Sequence, residues 1–176
     1  MRAPADHESL FKSWLGEHRG ILARVGRSFA DCSAEAEDIE QEMLLQLWIS
    51  LPAFKGQSKP STWIYRVCLN TALTWRRDDS RRRRHVESRA DFGDVAAAAS
   101  SPAKSAGDRE ILEKLYEAIR AMPSLDRALV LLLLDGVSYR EMSEVTGMTE
   151  NHVGVALTRA RRRLAELMKG TTDELE

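Results

Sequence analysis

The sequence predicts an all-α fold made of two small helical domains joined by a flexible linker. Apolar residues recur at helical spacing on both sides of residues 90–107, and no stretch alternates between apolar and polar residues as a strand would. Residues 90–107 are rich in Ala, Ser, Gly, Asp and Pro, and they have too few apolar residues to offset their ordering entropy. We therefore expect a first domain over residues 1–89 and a second over residues 108–176.

Two helices are predicted in the first part of the first domain. The first covers residues 10–29, and the second has an apolar residue at every fourth position until it ends at Pro52. Leu44 and Trp48 lie beside this second stripe, whereas acidic residues and Gln46 fall on a different face. The expected buried positions are Leu15, Ile21, Leu22, Val25 and Phe29 in the first helix and Ile39, Met43, Leu47 and Leu51 in the second.

A loop and a third helix complete the first domain. The loop spans residues 54–59, and the helix begins after Pro60, with Ser61 as the expected N-cap. Its apolar stripe is expected to contain Ile64, Val67, Cys68, Thr71 and Trp75.

The second domain reads as four helices separated by turn signals. The first starts near Asp108 and ends at Pro123, and the second covers residues 124–134 and ends where Gly136 can adopt a left-handed conformation. Ser138 and Glu141 have the spacing of a capping box, so a third helix begins there and stops at Gly147. The expected buried positions of the first helix are Ile111, Leu112, Leu115, Ala118 and Ile119. Those of the last helix, which Thr149 caps, are Val153, Leu157, Ala160, Leu164 and Leu167 or Met168.

The last two helices have the spacing of a helix-turn-helix. Ser143 is small enough for a close crossing, and Gly147 four residues later permits the tight turn. In this motif the second helix enters the major groove of DNA, and cations further along meet phosphates. An ordinary helical hairpin with a basic face remains the alternative. The residues expected to project away from the buried stripe are Asn151, His152, Val155, Thr158, Arg159 and Arg162.

Composition excludes several classes of protein. The 176 residues, 43% hydrophobic and 30% charged, contain no run of eighteen apolar residues, so we expect no membrane insertion. The first ten residues lack the features of a secretory signal, which favours a cytoplasmic location. Cys32 and Cys68 are the only two cysteines and have no zinc-binding or redox spacing, and we predict no metal and no cofactor.

Charge is strongly segregated although the net charge is only −1. Residues 31–42 contain six acidic residues and no Lys or Arg, residues 76–89 are rich in Arg, and a second basic cluster covers residues 159–163. Patches of opposite sign indicate one basic partner and one polyanionic partner, although solvated helix faces would give the same pattern. The acidic residues are Asp31, Glu35, Glu37, Asp38, Glu40 and Glu42.

Aromatic residues interleave with cations in the third helix and in the loop before it. Trp63, Tyr65 and Trp75 alternate with basic residues, next to the arginine tract of residues 81–84. Aromatic surfaces beside cations suit single-stranded bases, which stack on them. A core position is the alternative for Trp63 and, more strongly, for Trp75, which lies on the apolar stripe.

Two sets of short motifs stand out, one in each predicted domain. The first set is Ala36-Glu37-Asp38-Ile39-Glu40-Gln41-Glu42, Leu47-Trp48, Leu51, Phe54, Thr62-Trp63-Ile64-Tyr65-Arg66 and Asn70. The second set is Met122-Pro123, Arg127, Val130-Leu131-Leu132, Gly136-Val137-Ser138-Tyr139-Arg140-Glu141-Met142 and Thr158-Arg159-Ala160-Arg161-Arg162-Arg163-Leu164. The two sets resemble region 2 and region 4 of bacterial sigma factors of the extracytoplasmic-function type, in the sigma-70 family. The blocks occur in the family's order and cover nearly all of the chain except the linker and the two ends.

The resemblance implies a non-enzymatic subunit that binds core RNA polymerase, directs it to promoters and helps to melt the minus-ten element. Asp38, Gln41 and Glu42 would bind the clamp helices of the largest polymerase subunit, while the beta flap, promoter DNA and an anti-sigma protein would be further partners. Region 4, with the residues of the predicted recognition helix, would read the minus-thirty-five element as duplex. Single-stranded promoter DNA would be held by Gln57, Ser58, Lys59, Trp63, Arg66, Asn70, Arg76 and Arg77.

One departure from the family pattern affects the recognition helix. Where family members commonly carry basic residues, this chain has Gly154 and Ala156. Base contacts are therefore expected to fall more on Asn151, His152 and Arg159.

Two other classes of protein compete with this interpretation. Glu35, Asp38 and Glu42 are spaced to bind metals in an enzyme of the helical-bundle type, but no Glu-x-x-His pairing accompanies them. A stand-alone helix-turn-helix regulator would leave the acidic segment and the aromatic, basic segment unexplained. DNA binding that does not depend on polymerase would favour that regulator.

Overall fold

The computed structural model describes residues 4–86 and 106–173, which form helices without any strand and so confirm the predicted all-α fold. By its contacts the chain divides into two units, Met1–Ala97 and Ala98–Glu176. The predicted domain bounds remain predictions, and residues 90–105 of the predicted linker lie outside the described residues. The helices are α1 (Pro4–Phe29), α2 (Ser33–Ser50), α3 (Pro60–Val86), α4 (Ala106–Arg120), α5 (Ser124–Leu134), α6 (Tyr139–Thr146) and α7 (Glu150–Asp173), and a short 3-10 turn, Leu51–Ala53, follows α2.

Unit 1 is a bundle in which α1, α2 and α3 each pack against the other two. Its helices meet around apolar side chains that are almost fully buried, and most of the predicted positions of α1 and α2 are among them. Gly26 lies where α1 crosses α2, and the absence of a side chain there lets the two helices approach closely. The buried apolar residues are Trp14, Ile21, Leu22, Val25, Phe29, Ala30, Ile39, Met43, Leu47, Leu51, Ile64, Tyr65, Cys68, Leu69 and Ala72.

The predicted start of α3 was wrong. The helix begins at Pro60, and the carbonyl of Lys59 accepts a hydrogen bond from the Trp63 amide, so Ser61 lies inside the first turn and is not the N-cap. Proline suits a first helical position because its missing N–H is not needed there. The helix runs to Val86 and includes the arginine tract of residues 81–84.

Unit 2 packs α4, α5 and α6 against α7. The turn signals acted as predicted: Gly136 and Gly147 have φ of 69° and 73°, in the left-handed region. After α5 the Val137 amide donates to the Leu132 carbonyl at 3.0 Å, which completes a Schellman-type helix end. These terminations place α6 and α7 in the predicted helix-turn-helix arrangement.

The start of each helix in this motif is fixed by a side chain, as predicted. Ser138 Oγ accepts from the Glu141 amide while the Glu141 carboxylate accepts from the Ser138 amide, so the capping box is present. Thr149 Oγ1 accepts from the His152 amide at 3.3 Å at the start of α7. These bonds satisfy amide groups that have no partner within the helix.

The predicted buried stripe of α7 is confirmed in its first half, whereas Leu164, Leu167 and Met168 are only half-buried, and the stripe of α4 was partly wrong. Val153, Leu157 and Ala160 are buried, whereas Ile111 is 63% exposed. Tyr116, which the sequence interpretation did not select, is buried on α4 instead. No helix among the described residues is both long enough and apolar enough to cross a membrane.

Candidate functional site

One face of α2 is exposed and carries the residues predicted to bind polymerase. Positions 38, 42, 45 and 49 follow the i, i+4, i+7, i+11 spacing of a single helical face, and positions 41 and 48 flank it. Asp38 and Gln41 are exposed, and Glu42 is half-buried. Gln46 Nε2 donates to Glu42 Oε1 at 2.8 Å, which orients that carboxylate.

The same face carries large apolar side chains; the sequence analysis missed Leu45 and Ile49, and it placed Trp48 beside the buried stripe although Trp48 is exposed. Leu45 is 50% exposed, Trp48 is 45% exposed and Ile49 is 60% exposed. The ring of Phe11 packs edge-on against Trp48, with centroids 5.2 Å apart and planes at 74°. The sequence did contain a sign of this surface, because Leu45 and Ile49 are apolar but fall outside the stripe of every fourth residue. We call the following six residues the α2 patch: Asp38, Gln41, Glu42, Leu45, Trp48 and Ile49.

The acidic residues at the start of α2 have a different environment from those of the α2 patch. Asp31 Oδ1 is 3.0 Å from Arg76 Nη1, and Trp75 Nε1 donates to Glu35 Oε1 at 3.1 Å. Glu35 also accepts from the Asp31 amide at 2.6 Å. These contacts tie the start of α2 to α3. Arg76, predicted to bind single-stranded DNA, is therefore paired with Asp31 within unit 1. Trp75 contributes to the same contact between α2 and α3 through its hydrogen bond to Glu35.

Glu40 is partly buried on the side of α2 that packs near α1. Burial raises the pKa of Glu40, Arg19 opposes this shift, and the negative charge of Glu37 adds to it. A methyl group at Gly26 would lie 3.0 Å from Glu40 Cγ, which shows how closely α1 approaches. Within the acidic run, Asp31, Glu35 and Glu40 therefore make contacts within the bundle, Asp38 and Glu42 lie on the α2 patch, and Glu37 is exposed outside it.

The loop of residues 54–59 is anchored at its start by three aromatic rings. Phe54 packs against Trp14 at 4.9 Å between centroids and against Trp63 at 5.4 Å, and Trp14 and Trp63 are 5.6 Å apart. Gly56 has φ of 70°, a conformation that favours glycine, and allows the chain to turn away from this cluster.

The loop and one face of α3 expose most of the residues predicted to hold single-stranded DNA. Gln57 and Lys59 are exposed, and Ser58 is half-buried. Arg66 and Asn70 are exposed one turn apart on α3. Arg77 is exposed on the same face and folds back on its own helix, since its Nε donates to the Leu73 carbonyl at 3.2 Å.

The three aromatic residues of α3 do not lie on one common exposed surface, and the role of Trp63 in holding single-stranded DNA stays a prediction. Tyr65 is 3% exposed and belongs to the core. Trp63 is half-buried within the ring cluster, and Trp75 is half-buried and hydrogen-bonded to Glu35. Interleaving along the sequence failed as a guide because positions 63, 65 and 75 point to different sides of a helix.

All six predicted duplex-binding residues are exposed along α7. Val155 is 67% exposed, the Thr158 hydroxyl donates to the Gly154 carbonyl at 2.9 Å, and Arg162 pairs with Glu166 at 3.5 Å. A Cβ atom at Gly154 would lie 3.6 Å from the ring of Tyr139, an ordinary contact distance, so this ring lies beside α7 at Gly154. The exposed set is Asn151, His152, Val155, Thr158, Arg159 and Arg162.

A buried carboxylate that the sequence interpretation missed contacts the basic part of α7. Asp126 is 2% exposed, and its carboxylate lies 3.4 Å from Arg159 Nη2 and 2.6 Å from Arg163 Nη1. The sequence did contain a sign of this contact, because Asp126 is an acidic residue at the start of a largely apolar helix.

Both units match family models. Sigma-70 region 2 matches residues 14–82, and sigma-70 region 4 matches residues 112–164. The two matches together cover well over half of the chain and define a protein of the sigma-70 type with a region 2 bundle and a region 4 helix-turn-helix.

Similar proteins narrow this class. ECF RNA polymerase sigma factor SigG of Mycobacterium tuberculosis (strain H37Rv) is 28% identical over 162 residues, covering 80% of this chain but only 44% of that protein. ECF RNA polymerase sigma-E factor of Escherichia coli (strain K12) is 27% identical over 139 residues, covering 75% of this chain and 73% of that protein. The chain belongs to the extracytoplasmic-function group of the sigma-70 family.

Solved structures share the fold. The sigma factor RpoE in complex with the anti-sigma factor NepR from Bartonella quintana has a TM-score of 0.74 at 22% identity, covering 90% of this chain and 96% of that one. CnrH in complex with the cytosolic domain of CnrY has a TM-score of 0.64 at 20% identity, covering 93% of this chain and 90% of that one.

Proposed function

We propose that this protein is a sigma factor that binds core RNA polymerase, directs it to a set of promoters and helps to melt the minus-ten element. The observation that carries the proposal is the α2 patch, an exposed acidic and apolar face within the region 2 match. Exposed apolar side chains of this size on one helical face indicate a partner, and their place in the region 2 match favours polymerase as that partner. The role is non-enzymatic and places the protein in the cytoplasm with the polymerase.

The chemistry of the α2 patch suits a basic helical partner. Leu45, Trp48 and Ile49 supply an apolar centre, and Asp38 and Glu42 supply negative charge beside it. Protein interfaces commonly combine a desolvated apolar centre with complementary charges at the edge, and aromatic residues are enriched at their centres. The partner proposed for this surface is the pair of clamp helices of the largest polymerase subunit.

Charge reversal on the α2 patch tests polymerase binding. Asp38→Lys with Glu42→Lys in the full chain is expected to weaken binding to purified core polymerase by at least about a hundredfold, because close charge pairs across interfaces couple by about 1.5 kcal/mol or more each. Fluorescence titration of labelled chain with core polymerase measures the affinity, and circular dichroism checks that helix content is unchanged.

A matched control separates the patch from net charge. Glu17→Lys with Glu117→Lys changes the charge by the same amount on exposed residues of α1 and α4, away from α2. We expect this variant to keep most of the affinity for core polymerase. Equal losses in the two variants would mean that overall charge, and not the α2 patch, governs the interaction.

We propose further that the loop of residues 54–59 and the face of α3 beside it hold a base extruded from the minus-ten element. Gln57 and Ser58 offer hydrogen-bonding groups, and Lys59, Arg66 and Asn70 follow along one exposed strip. The ring cluster supports this role by fixing the start of the loop, because a pre-ordered pocket lowers the entropy lost on binding. In this proposal Trp63 acts mainly by holding the ring cluster together, and Arg76 acts mainly through its ion pair with Asp31.

Changing Gln57, Ser58 and Lys59 together to alanine tests melting. Open-complex formation is expected to fall about tenfold to a hundredfold, since one captured base is worth roughly 1–3 kcal/mol. Permanganate reactivity of unpaired thymines measures opening at limiting holoenzyme, and Lys55→Ala is the control within the same loop. Normal reactivity in the triple variant would show that the loop is only a connector.

The helix-turn-helix is proposed to read the minus-thirty-five element through α7, with further contact to the beta flap. Arg159→Ala is expected to weaken binding of the upstream duplex more than melting of a premelted template that lacks it. A footprint that persists without core polymerase would favour the stand-alone regulator. One of the similar structures contains the sigma factor RpoE bound to the anti-sigma factor NepR, and we propose that an anti-sigma protein also controls this chain.

A further inference from the structure

Asp126 is a buried carboxylate at the point where α5 packs against the basic part of α7. It lies in the first turn of α5, with buried Ala128, Leu129 and Val130 following it. Both oxygens are engaged by α7, Oδ1 by Arg159 at 3.4 Å and Oδ2 by Arg163 at 2.6 Å. A single acidic residue thus contacts two cations of the helix that carries the predicted DNA-binding residues.

A buried ion of this kind is costly, and an apolar residue would fill the same space without the desolvation penalty. The two arginines are 58% and 43% exposed, so they retain access to solvent and to a ligand while one edge of each faces Asp126. A guanidinium has five N–H donors in a fixed plane, and donors that do not contact Asp126 remain available. The contact therefore orients both guanidinium groups without using up their charge.

We infer that Asp126 is a positioning residue for duplex recognition, which holds Arg159 and Arg163 in the orientation that meets the DNA. This inference rests on the proposed reading of a duplex by α7. Phosphate contacts fix the register of a protein on DNA, and base contacts depend on that register. Without Asp126 the arginines remain cations that attract any duplex, but they no longer set one register.

The inference predicts a separation of specificity from affinity. The probe is a duplex enriched from a randomised pool by wild-type holoenzyme, compared with a scrambled duplex of the same length and composition. Asp126→Asn in the full chain, bound to core polymerase, is expected to lower the ratio of the two affinities about tenfold. Affinity for the scrambled duplex should be equal or higher, because one negative charge has been removed near the DNA.

Two further variants keep the test decisive. Glu117→Gln removes one exposed acidic charge from α4 of the same unit and should leave the specificity ratio unchanged. Asp126→Leu fills the buried position with an apolar side chain and leaves both arginines in contact with solvent, so it should behave like Asp126→Asn. A specificity ratio that stays at the wild-type value in folded Asp126→Asn or Asp126→Leu would overturn the inference.

A double-mutant comparison asks whether Asp126 acts through the arginines. In an Arg159→Ala, Arg163→Ala background, Asp126→Asn is expected to change the specificity ratio by less than about twofold. The same loss in both backgrounds would assign Asp126 a merely structural role and overturn the inference. Failure of wild-type holoenzyme to enrich any duplex would instead overturn the proposed function, so the two failures are distinguishable.

Discussion

Replacing Gly26 by alanine is a direct test of how closely α1 crosses α2. A methyl group there would lie 3.0 Å from Glu40 Cγ and 3.2 Å from the carbonyl oxygen of Ala36. Both distances are shorter than an ordinary contact between non-bonded heavy atoms, which is about 3.5–4.0 Å. The Glu40 side chain can move, but the Ala36 carbonyl belongs to the backbone of α2. Relieving the close contact between the added methyl group and this carbonyl therefore requires α1 and α2 to move apart.

Two opposing effects set the change in the free energy of unfolding caused by Gly26→Ala. Overpacking a close crossing costs about 1–3 kcal/mol. Alanine is favoured over glycine by about 1 kcal/mol within a helix, which offsets part of that cost. Gly16 lies on the same helix with nothing within 4 Å of its added Cβ, so Gly16→Ala has only the stabilising effect of the higher helix propensity of alanine. The difference between the two variants, about 1–3 kcal/mol, therefore isolates the crossing.

Tryptophan fluorescence is the appropriate assay because all four tryptophans, Trp14, Trp48, Trp63 and Trp75, lie in unit 1. One kcal/mol moves the thermal midpoint of a domain of this size by about 4–8 °C. We expect Gly16→Ala to unfold about 4–8 °C above wild type and Gly26→Ala at least about 4 °C below Gly16→Ala. Equal midpoints for the two variants would refute the reasoning, since both would then report helix propensity alone.

Three further predictions concern Glu40, the cysteines and the capping box. The raised pKa of Glu40 means that the folded state binds its proton more tightly, so this carboxyl lowers stability as pH rises from the ordinary Glu value of 4.5 through the raised pKa. Glu40→Gln should therefore stabilise unit 1 at pH 7 and lose that advantage near pH 4, as thermal midpoints by tryptophan fluorescence would show. Burial also raises the pKa of the Cys68 thiol, so native protein at pH 8 should react with a thiol reagent at exposed Cys32 only, and two fast thiols would contradict the described core. Ser138→Ala should cost about 1 kcal/mol and speed amide exchange in α6, and unchanged exchange would mean that the capping box contributes little.

Features that depend on neighbouring residues were predictable from the sequence. The capping box at Ser138, the left-handed glycines Gly136 and Gly147, and the cap at Thr149 involve residues a few positions apart. Their geometry is set by local backbone chemistry, which a sequence pattern records directly. The helix-turn-helix follows from these terminations, and for that reason the six exposed residues of α7 were also predictable.

Features that depend on distant residues were not predictable in the same way. Asp31 and Arg76 are 45 positions apart, Glu35 and Trp75 are 40 apart, and Asp126 lies 33 positions before Arg159. No local pattern joins such pairs, because packing of helices against one another brings them together. Predictions failed for the same reason where two faces of a helix were both plausible, as for the exposed Ile111.

The acidic segment shows why charge density along a sequence does not by itself locate a binding surface. A helix distributes successive residues around its axis, so six acidic residues within twelve positions cannot all face one partner. In this fold Asp31 and Glu35 join α2 to α3 and Glu40 is partly buried, whereas Asp38 lies on the α2 patch beside exposed apolar side chains. The apolar neighbours distinguish the patch, because solvated carboxylates need no partner, whereas exposed Leu45, Trp48 and Ile49 gain free energy when a partner covers them. Binding to polymerase should therefore depend on the combination of Asp38 with these apolar residues and not on the number of negative charges in α2.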